Sequence, residues 1–288
     1  MIPITPTADF ASPFLPPGKL PGWLHRPSHR FVNAMLWRAF RKETNAARAS
    51  ICALQPRERV WTEHPILYGV SPSLLPQPRD WPPQAHICGQ WTLASAQEWS
   101  APEPLADFLA SGDAPIYIGF GSMAGFDRRA LGEALIGAVA GRRALFYPGW
   151  SGIDGKALPS NFHVVGDTPH EWLFPRTSMV IHHGGAGTSH SAARAGVPSV
   201  VVPFAADQFF WADRLAKRGI APAAVQGKRV SAAALARAID FASRAQVRTR
   251  AAAIGAAMAQ EDGLGEAVRM IESIARAGAR AGLAAVRR

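Results

Sequence analysis

The sequence predicts an α/β protein whose larger part is one nearly complete, Rossmann-like domain of parallel strands wound with helices. Three observations predict it. Short apolar runs, "PIYIGF", "ALFYPG", "FHVVGD", "SMVIHH" and "PSVVVPF", recur from residue 115 onward. Helical patterns separate most of them, the alternation that βαβ units and a parallel sheet produce. Several runs end in glycine, which lets a strand turn sharply into a helix.

The front of the chain has another character. Residues 1–27 are proline-rich and irregular, as in "PITPT" and "SPFLPPGKLPG". Ser28 is expected to cap a helix whose Val32, Leu36 and Phe40 form one stripe, continuing through "ETNAARASICAL". "PILYGVSPSLL" and "HICGQWTL" read as short strands on either side of the proline-rich "PQPRDWPPQ". The segment from Ala94 to Asp113 is polar and contains proline, and it reads as a linker.

Beyond the linker, Asp127 is placed to cap a helix with Leu131, Leu135 and Val139 on one face and Gly141 as its stop. "EWLFPR" is a short helical turn, Thr188 to Ala195 a helix closed by Gly196, and "QFFWADRLAKRG" another helix. Ser231 can cap "AAALARAIDFA", and an alanine-rich helix follows to Gln260. The last helix, "GEAVRMIESIARA", puts Val268, Ile271 and Ile274 on one side, and the tail "GARAGLAAVRR" is expected to fray. The expected organisation is therefore a front piece over 1–93, a linker over 94–113, the Rossmann-like domain over 114–262, and a C-terminal helix with a basic tail over 263–288.

Composition narrows the function classes. A chain of 288 residues with 48% apolar and 18% charged residues buries a real core and is not disordered. Its 31 Lys and Arg outnumber 21 Asp and Glu, yet only five cations are lysines and the arginines form no block. A nucleic-acid binder concentrates such charge in a stripe or tail, so the excess reads as that of a basic, Arg-rich protein, with attraction toward an anionic small substrate as the milder functional reading. Cys52 and Cys88 are far apart and belong to no Cys-x-x-Cys motif, which argues against a disulfide framework or structural zinc and fits a reducing compartment. The longest apolar stretch, "GVPSVVVPFAA", is cut by Pro198 and Pro203 and falls short of the roughly 18 residues of a membrane span. A cytoplasmic protein with at most peripheral membrane contact is expected.

The stretch carrying the chemistry is "MVIHHGGAGTSHSAARAGVPSVVVPF", residues 179–204. A strand that ends in glycines and enters a helix gathers unpaired backbone N–H groups, and the helix dipole adds partial positive charge there. Such a turn suits a phosphate, with Gly184, Gly185 and Gly187 allowing close approach and Thr188 adding a hydroxyl. His183 can donate a ring N–H without permanent charge, while His182 points the opposite way into the interior. Known phosphate loops fit poorly: the turn has no Walker lysine, and His190 stands where a dinucleotide fingerprint needs Gly or Ala. Gly119, Gly121 and Ala124 give an earlier Gly-x-Gly-x-x-Ala, but the strand "ALFYPG" lacks the acid that binds a ribose hydroxyl. A zinc site from His170, His182, His183 and His190 is disfavoured, because neighbouring strand residues diverge. Trp172 reads as core.

"PIYIGFGSM", "PHEWLFPR", "HHGGAGT", "AGVPSVVVPF" and "DQFFWADRL", in this order, resemble the donor-binding half of inverting, nucleotide-sugar-dependent GT-B glycosyltransferases of the family 1 type. The nearest groups in that resemblance are the sterol-glucosyltransferase-like and antibiotic-glycosylating enzymes of bacteria. "PSHRFVNAMLWRAF" and "LYGVSPSLLPQPRDWP" resemble the end of that family's acceptor half. The resemblance implies that His183 contacts the donor's phosphates and that Gly184, Gly185, Ala186, Gly187 and Thr188 hold the distal phosphate. It implies that Asp207 and Gln208 bind sugar hydroxyls, to which a carboxylate and an amide offer both acceptors and donors. Ser122 would be a further phosphate or acceptor-cleft contact, and Trp150 and His170 lie where the family shelters uracil and ribose. Ser191 stands where plant relatives carry a ribose-binding glutamate, a departure that leaves ribose contact there open.

The resemblance further implies transfer of a hexose, with inversion, from a UDP-sugar such as UDP-glucose to a hydroxyl of a lipophilic sterol-, polyketide- or lipid-like acceptor. No metal and no cofactor beyond the co-substrate are expected, since the helix N-terminus and neutral donors meet the diphosphate. The family's general base is a His or Asp after a glycine-rich first strand, and residues 1–27 carry no such element, His25 included. A whole acceptor half takes on the order of 100–150 residues. The chain is therefore expected to begin inside that half, to bind donor, and to transfer little alone. Two alternatives stay open: a non-catalytic nucleotide-sugar-binding subunit served by a separate acceptor-half chain, and a nicotinamide-dependent oxidoreductase using Gly119 to Ala124.

Overall fold

A computed structural model describes residues 2–60, 64–93, 99–121, 127–149, 152–153, 155, 158–227 and 230–286, with side chains described as far as residue 277. Ser122 and Trp150 lie outside the described residues, as does Ala124 of the early glycine motif.

A long helix, α1 (His25–Cys52), follows a short 3-10 turn at Gly22–Leu24. It starts one turn before the expected Ser28. That serine does not cap: its Oγ donates to the His25 carbonyl at 2.6 Å and accepts from the Ser12 amide at 2.9 Å. Ser28 thus ties the irregular front segment onto the helix. The expected stripe is also corrected, since Val32 is buried but Phe40 is 61% exposed. The two front strands form, as β1 (Ile66–Tyr68) and β2 (Ala85–Ile87), and they pair in parallel.

The segment expected as a linker over 94–113 contains a helix in its described part. This is α2 (Glu103–Ala110), whose Leu105 is buried among Tyr117, Leu145 and Phe174, with Trp99 and Phe108 packed alongside. Pro102 sets the turn into this helix, and an apolar residue on its inner face fastens it.

Five parallel strands then form one sheet: β3 (Ile116–Gly119), β4 (Ala144–Tyr147), β5 (Phe162–Val164), β6 (Met179–His182) and β7 (Ser199–Val201). Their order is β5-β4-β3-β6-β7. Alternate residues feed opposite faces, as the two-residue period requires. Ile116, Ile118 and Ile181 meet α3 (Arg128–Val139) and α7 (Ala232–Ala242), whereas Tyr117, Leu145 and Val180 meet α2 and the short α4 (His170–Leu173). Both faces being covered explains why the strands read as near-continuous apolar runs.

The caps read from sequence at Asp127 and Ser231 are present, each accepting from an amide three residues on. Helix α5 (Ala186–Arg194) follows β6, and α6 (Gln208–Lys217) follows β7. Helix α8 (Ala245–Ala259) packs on α5, and Gly255 lies so close to Gly196 that an added Cβ would stand 2.6 Å from the Gly196 Cα. Helix α9 (Gly263–Val286) runs on through the tail expected to fray.

The front segment shares the domain's cores. Phe10, Tyr68, Val70 and Trp81 pack with Phe210 and Trp211 of α6, and Leu74 sits among Ala193, Leu215, Ala251 and Met258. Ser71 and Ser73 both donate to Glu261 Oε1, at 2.8 and 2.7 Å, which fastens the same segment near the start of α9.

Candidate functional site

In a sheet of order β5-β4-β3-β6-β7 the winding direction reverses between β3 and β6. The crossovers leave to opposite sides there, and a crevice opens at the carboxyl ends of those two strands. Gly119 and Gly121 stand at the end of β3, and His182, His183 and Gly184 at the end of β6.

The turn after β6 is fixed by three backbone facts. Gly184 has φ +89, and a Cβ there would lie 2.8 Å from both the Gln208 carbonyl oxygen and Val201 Cγ1. Its amide donates to His182 Nδ1 at 3.1 Å. Gly185 is the N-cap of α5, and the first intrahelical bond runs from the Ser189 amide to the Gly185 carbonyl. The amides of Ala186, Gly187 and Thr188 therefore precede the helical ladder and point out of its positive end. Gly187 is exposed, and a Cβ added to it would meet nothing within 4 Å.

His183 lies one residue beyond β6 rather than at its last position. Its ring sits between two glycines. A Cβ on Gly121 would approach its Cε1 at 3.4 Å, and one on Gly185 would fall 2.5 Å from its Nε2. Burial holds the imidazole below its usual pKa of 6.5, with the Asp207 charge pulling the other way, so it is neutral near pH 7. Its Nδ1 is buried and has no hydrogen-bond partner among the described residues.

His182 is fully buried, as its inward direction on the strand implied. Burial, and then the neighbouring His183 and His170, push its pKa down to about 3. Accepting from Gly184 at Nδ1 leaves its proton on Nε2. His190 is buried too, with its pKa pushed down to about 4 by burial. Its Nε2 accepts from the Ser71 amide at 3.2 Å, so its Nδ1–H donates to the Ala186 carbonyl at 2.7 Å. Both nitrogens of His190 are committed to holding the turn.

Asp207 and Gln208 open α6. Asp207 is half-buried, and its Oδ2 accepts from Trp211 Nε1 at 3.0 Å. Gln208 is buried, and its Oε1 accepts from the amides of Phe204 and Ala205 at 2.7 and 3.0 Å. The amide oxygen thus shapes the loop after β7, while the other carboxylate oxygen of Asp207 accepts no hydrogen bond among the described residues.

Beside Thr188 lies a cavity of about 460 Å³, within the size range of small-molecule pockets. Gly119, Gly121, His170 and Thr188 line it, together with residues the sequence reading passed over: Trp99, Tyr117, Tyr147, Asp167 and Thr168. Tyr147 Oη donates to Asp167 Oδ1 at 2.7 Å, which orients that carboxylate at the cavity wall. The end of β4 carries no acid. One arrives from the loop after β5, and "GDTP" at a strand's carboxyl end was the available signal. His170 stacks on Phe174 at 4.2 Å and 17°, and burial lowers its pKa. Trp172 packs in the core and against Trp99, at 4.6 Å between ring centroids. Among the described residues no group of three or more His, Cys, Asp or Glu is arranged to hold a metal ion, and no helix is long and apolar enough to cross a membrane.

Residues 145–274 match the family of the erythromycin biosynthesis protein CIII-like C-terminal domain. A sterol 3-beta-glucosyltransferase of Arabidopsis thaliana is 34% identical over 277 residues, covering 93% of this chain and 43% of the relative. The O-mycaminosyltylonolide 6-deoxyallosyltransferase of Streptomyces fradiae is 38% identical over 251 residues, covering 82% of this chain and 58% of the relative. Among solved structures, the glycotransferase of kitacinnamycin superposes with a TM-score of 0.66 at 20% identity, over 86% of this chain and 66% of that one. The calicheamicin glycosyltransferase CalG4 gives 0.55 at 18% identity, over 84% and 58%. The chain spans less than two thirds of the length of these sequence relatives. Over the part it spans, the chain is a homologue of the sterol and antibiotic glycosyltransferases, and its fold is that of the GT-B enzymes.

Proposed function

We propose that this chain binds a nucleotide-sugar, with the diphosphate at the N-terminus of α5 and the nucleoside in the cavity beside Thr188. The donor is a UDP-hexose such as UDP-glucose, and the reaction it serves is inverting transfer to a hydroxyl of a lipophilic acceptor. The observation that carries the reading is the turn itself. Gly184 has no room for a side chain, three amides project from the helix end, and a neutral, partly buried His183 stands beside them. That set supplies donors for phosphate oxygens without a permanent positive charge, and preorganised donors of this kind stabilise a departing diphosphate.

Around the turn, Thr188 adds a hydroxyl, and His170, Asp167 and Thr168 offer an aromatic face and polar groups for base and ribose. The free oxygen of Asp207 is the sugar contact, and Gln208 serves through the loop it shapes. Sterol and polyketide acceptors are proposed by analogy with the homologous sterol and mycaminosyltylonolide glycosyltransferases, and a cytoplasmic location fits the two free cysteines.

The test is calorimetric titration of the chain with UDP, UDP-glucose and NAD, for the wild type and His183→Ala, with and without a chelator. Saturable UDP binding, weakened about ten-fold or more by the substitution, is expected from losing a hydrogen bond to a charged group. Affinity is expected to survive the chelator. NAD binding without UDP binding, in a folded chain, overturns the reading.

A further inference from the structure

A second cavity lies away from the cradle. It is a groove of about 1110 Å³ along α1, and none of its lining residues lines the cavity beside Thr188. Helical spacing builds it. Arg26, Arg30, Ala34, Trp37, Arg38 and Arg41 recur at steps of three and four, so they share one face. Arg59 faces them from the segment before β1. Five guanidiniums therefore surround one concavity, against two carboxylates, Asp80 and Glu58.

The carboxylates do not neutralise them. Asp80 is already used three ways: its Oδ1 accepts from the Thr7 hydroxyl at 2.6 Å, and its Oδ2 from the Ala8 amide at 2.9 Å and Arg26 Nη2 at 2.7 Å. Arg30, Arg38, Arg41 and Arg59 are exposed and make no hydrogen bond or ion pair among the described residues. Between the guanidiniums the wall is mostly apolar, from Pro6, Ala34, Ile66, Pro82 and the Trp37 ring, whose Nε1 is tied to the Glu58 carbonyl at 2.7 Å, with Thr5, Asn33 and Gln84 as its polar members. Guanidiniums are weakly hydrated forks that match carboxylate or phosphate oxygens two at a time. An apolar wall between them selects against a bare ion.

We propose that this groove binds an anionic amphiphile, a phosphate or carboxylate head carried on an apolar body. The head is clamped by the Arg30, Arg38, Arg41 and Arg59 guanidiniums, and the body lies against Trp37, Ile66 and Pro82. The assignment does not depend on the donor reading, because the two cavities share no residue.

Calorimetric titration compares decyl phosphate kept below its micellar concentration, decanol, inorganic phosphate, and vesicles containing phosphatidylglycerol. Decyl phosphate is expected to bind saturably and about ten-fold or more tighter than either decanol or inorganic phosphate. The double variant Arg30→Ala/Arg41→Ala is expected to weaken it by about ten-fold with an unchanged circular dichroism spectrum, and Arg30→Lys/Arg41→Lys to restore part of the loss. UDP affinity is expected to be the same in all three proteins. Equal binding of decanol, equal binding of bare phosphate, or indifference to the double variant each overturns the proposal. Attachment to vesicles without binding of monomeric decyl phosphate also overturns it, since a lipid surface then replaces the groove as the site.

Discussion

The indole Nε1 of Trp211 donates to Oδ2 of Asp207 across 3.0 Å, one helical turn apart at the start of α6. Trp211 is fully buried and packs edge-on against His190 at 4.9 Å, and His190 holds both the Ser71 amide and the Ala186 carbonyl. A buried chain of contacts thus runs from the front segment, through the floor of the phosphate turn, to the carboxylate proposed to meet the sugar. Replacing Trp211 with Phe keeps an aromatic body and removes the donor. The expected result is weaker binding of UDP-glucose by about five-fold, on the scale of one hydrogen bond of about 1 kcal/mol, with UDP affinity little changed. Equal loss for both ligands would mean that the tryptophan only supports the fold.

Two glycines of one turn are expected to respond in opposite ways. Gly184→Ala forces a Cβ within 2.8 Å of a backbone carbonyl and of Val201 at a positive φ, so it is expected to destabilise the chain by about 2–4 kcal/mol in urea unfolding. Gly187→Ala meets open space inside α5 and is expected to be neutral or to stabilise by up to about 1 kcal/mol. It nevertheless places a methyl where the anion approaches, so UDP affinity is expected to fall. A Gly187→Ala protein that is stable and binds UDP normally would remove that residue from the cradle.

How much of this was legible in the sequence differs by element. The five strands, the caps at Asp127 and Ser231, and the glycine turn were legible because each rests on a local signal: an apolar run, a short polar side chain, a residue without Cβ. The start of α1 was not. Ser28 has the chemistry of a cap, but its partner is Ser12, a contact that only the folded front segment creates. Helix α2 was hidden by the prolines and charges around it, since what holds it is Leu105 against Tyr117 and Phe174. In the site, His183 and Gly184 through Thr188 could be found from spacing. Asp167, Tyr147 and Trp99 could not, because three separate segments, the loop after β5, the end of β4 and the approach to α2, bring them to one cavity. Gln208 shows the limit of residue type as a guide: the amide suits a sugar hydroxyl, yet its oxygen is taken by two loop amides.

Asp167 offers a sharper view of the nucleoside. Its Oδ1 is held by Tyr147 and it lines the cavity. If it receives a ribose hydroxyl, Asp167→Ala is expected to weaken UDP by about five- to ten-fold and 2′-deoxy-UDP much less, the difference being one charge-assisted hydrogen bond. The same loss for both nucleotides would place the carboxylate away from the 2′ position.

Acid should loosen this fold well before its carboxylates titrate. Burial lowers the pKa of His29, His163, His170, His182, His183 and His190, and it takes His182 to about 3 and His190 to about 4 from an ordinary 6.5. In the window between each folded value and 6.5 the unfolded chain binds a proton that the folded chain refuses, so stability rises with pH there. The stability of the neutral, folded histidines is complete above about pH 6.5 and declines as the pH falls through the unfolded value. At about pH 5, His182 and His190 are each expected to cost on the order of 2 kcal/mol relative to neutral pH. Asp80 acts lower. Burial raises its carboxyl, but bonds from Thr7, Ala8 and Arg26 outweigh that and hold it below 3.8, so its share is present above that value and lost beneath it. Urea midpoints at about pH 7.5 and about pH 5, for the wild type and His182→Asn, separate these sources. Asparagine places an amide oxygen where Nδ1 stood and can still accept from the Gly184 amide, but it cannot take up a proton. Its midpoint is therefore expected to fall less on acidification, and an unchanged fall would acquit His182 and leave the other buried histidines responsible.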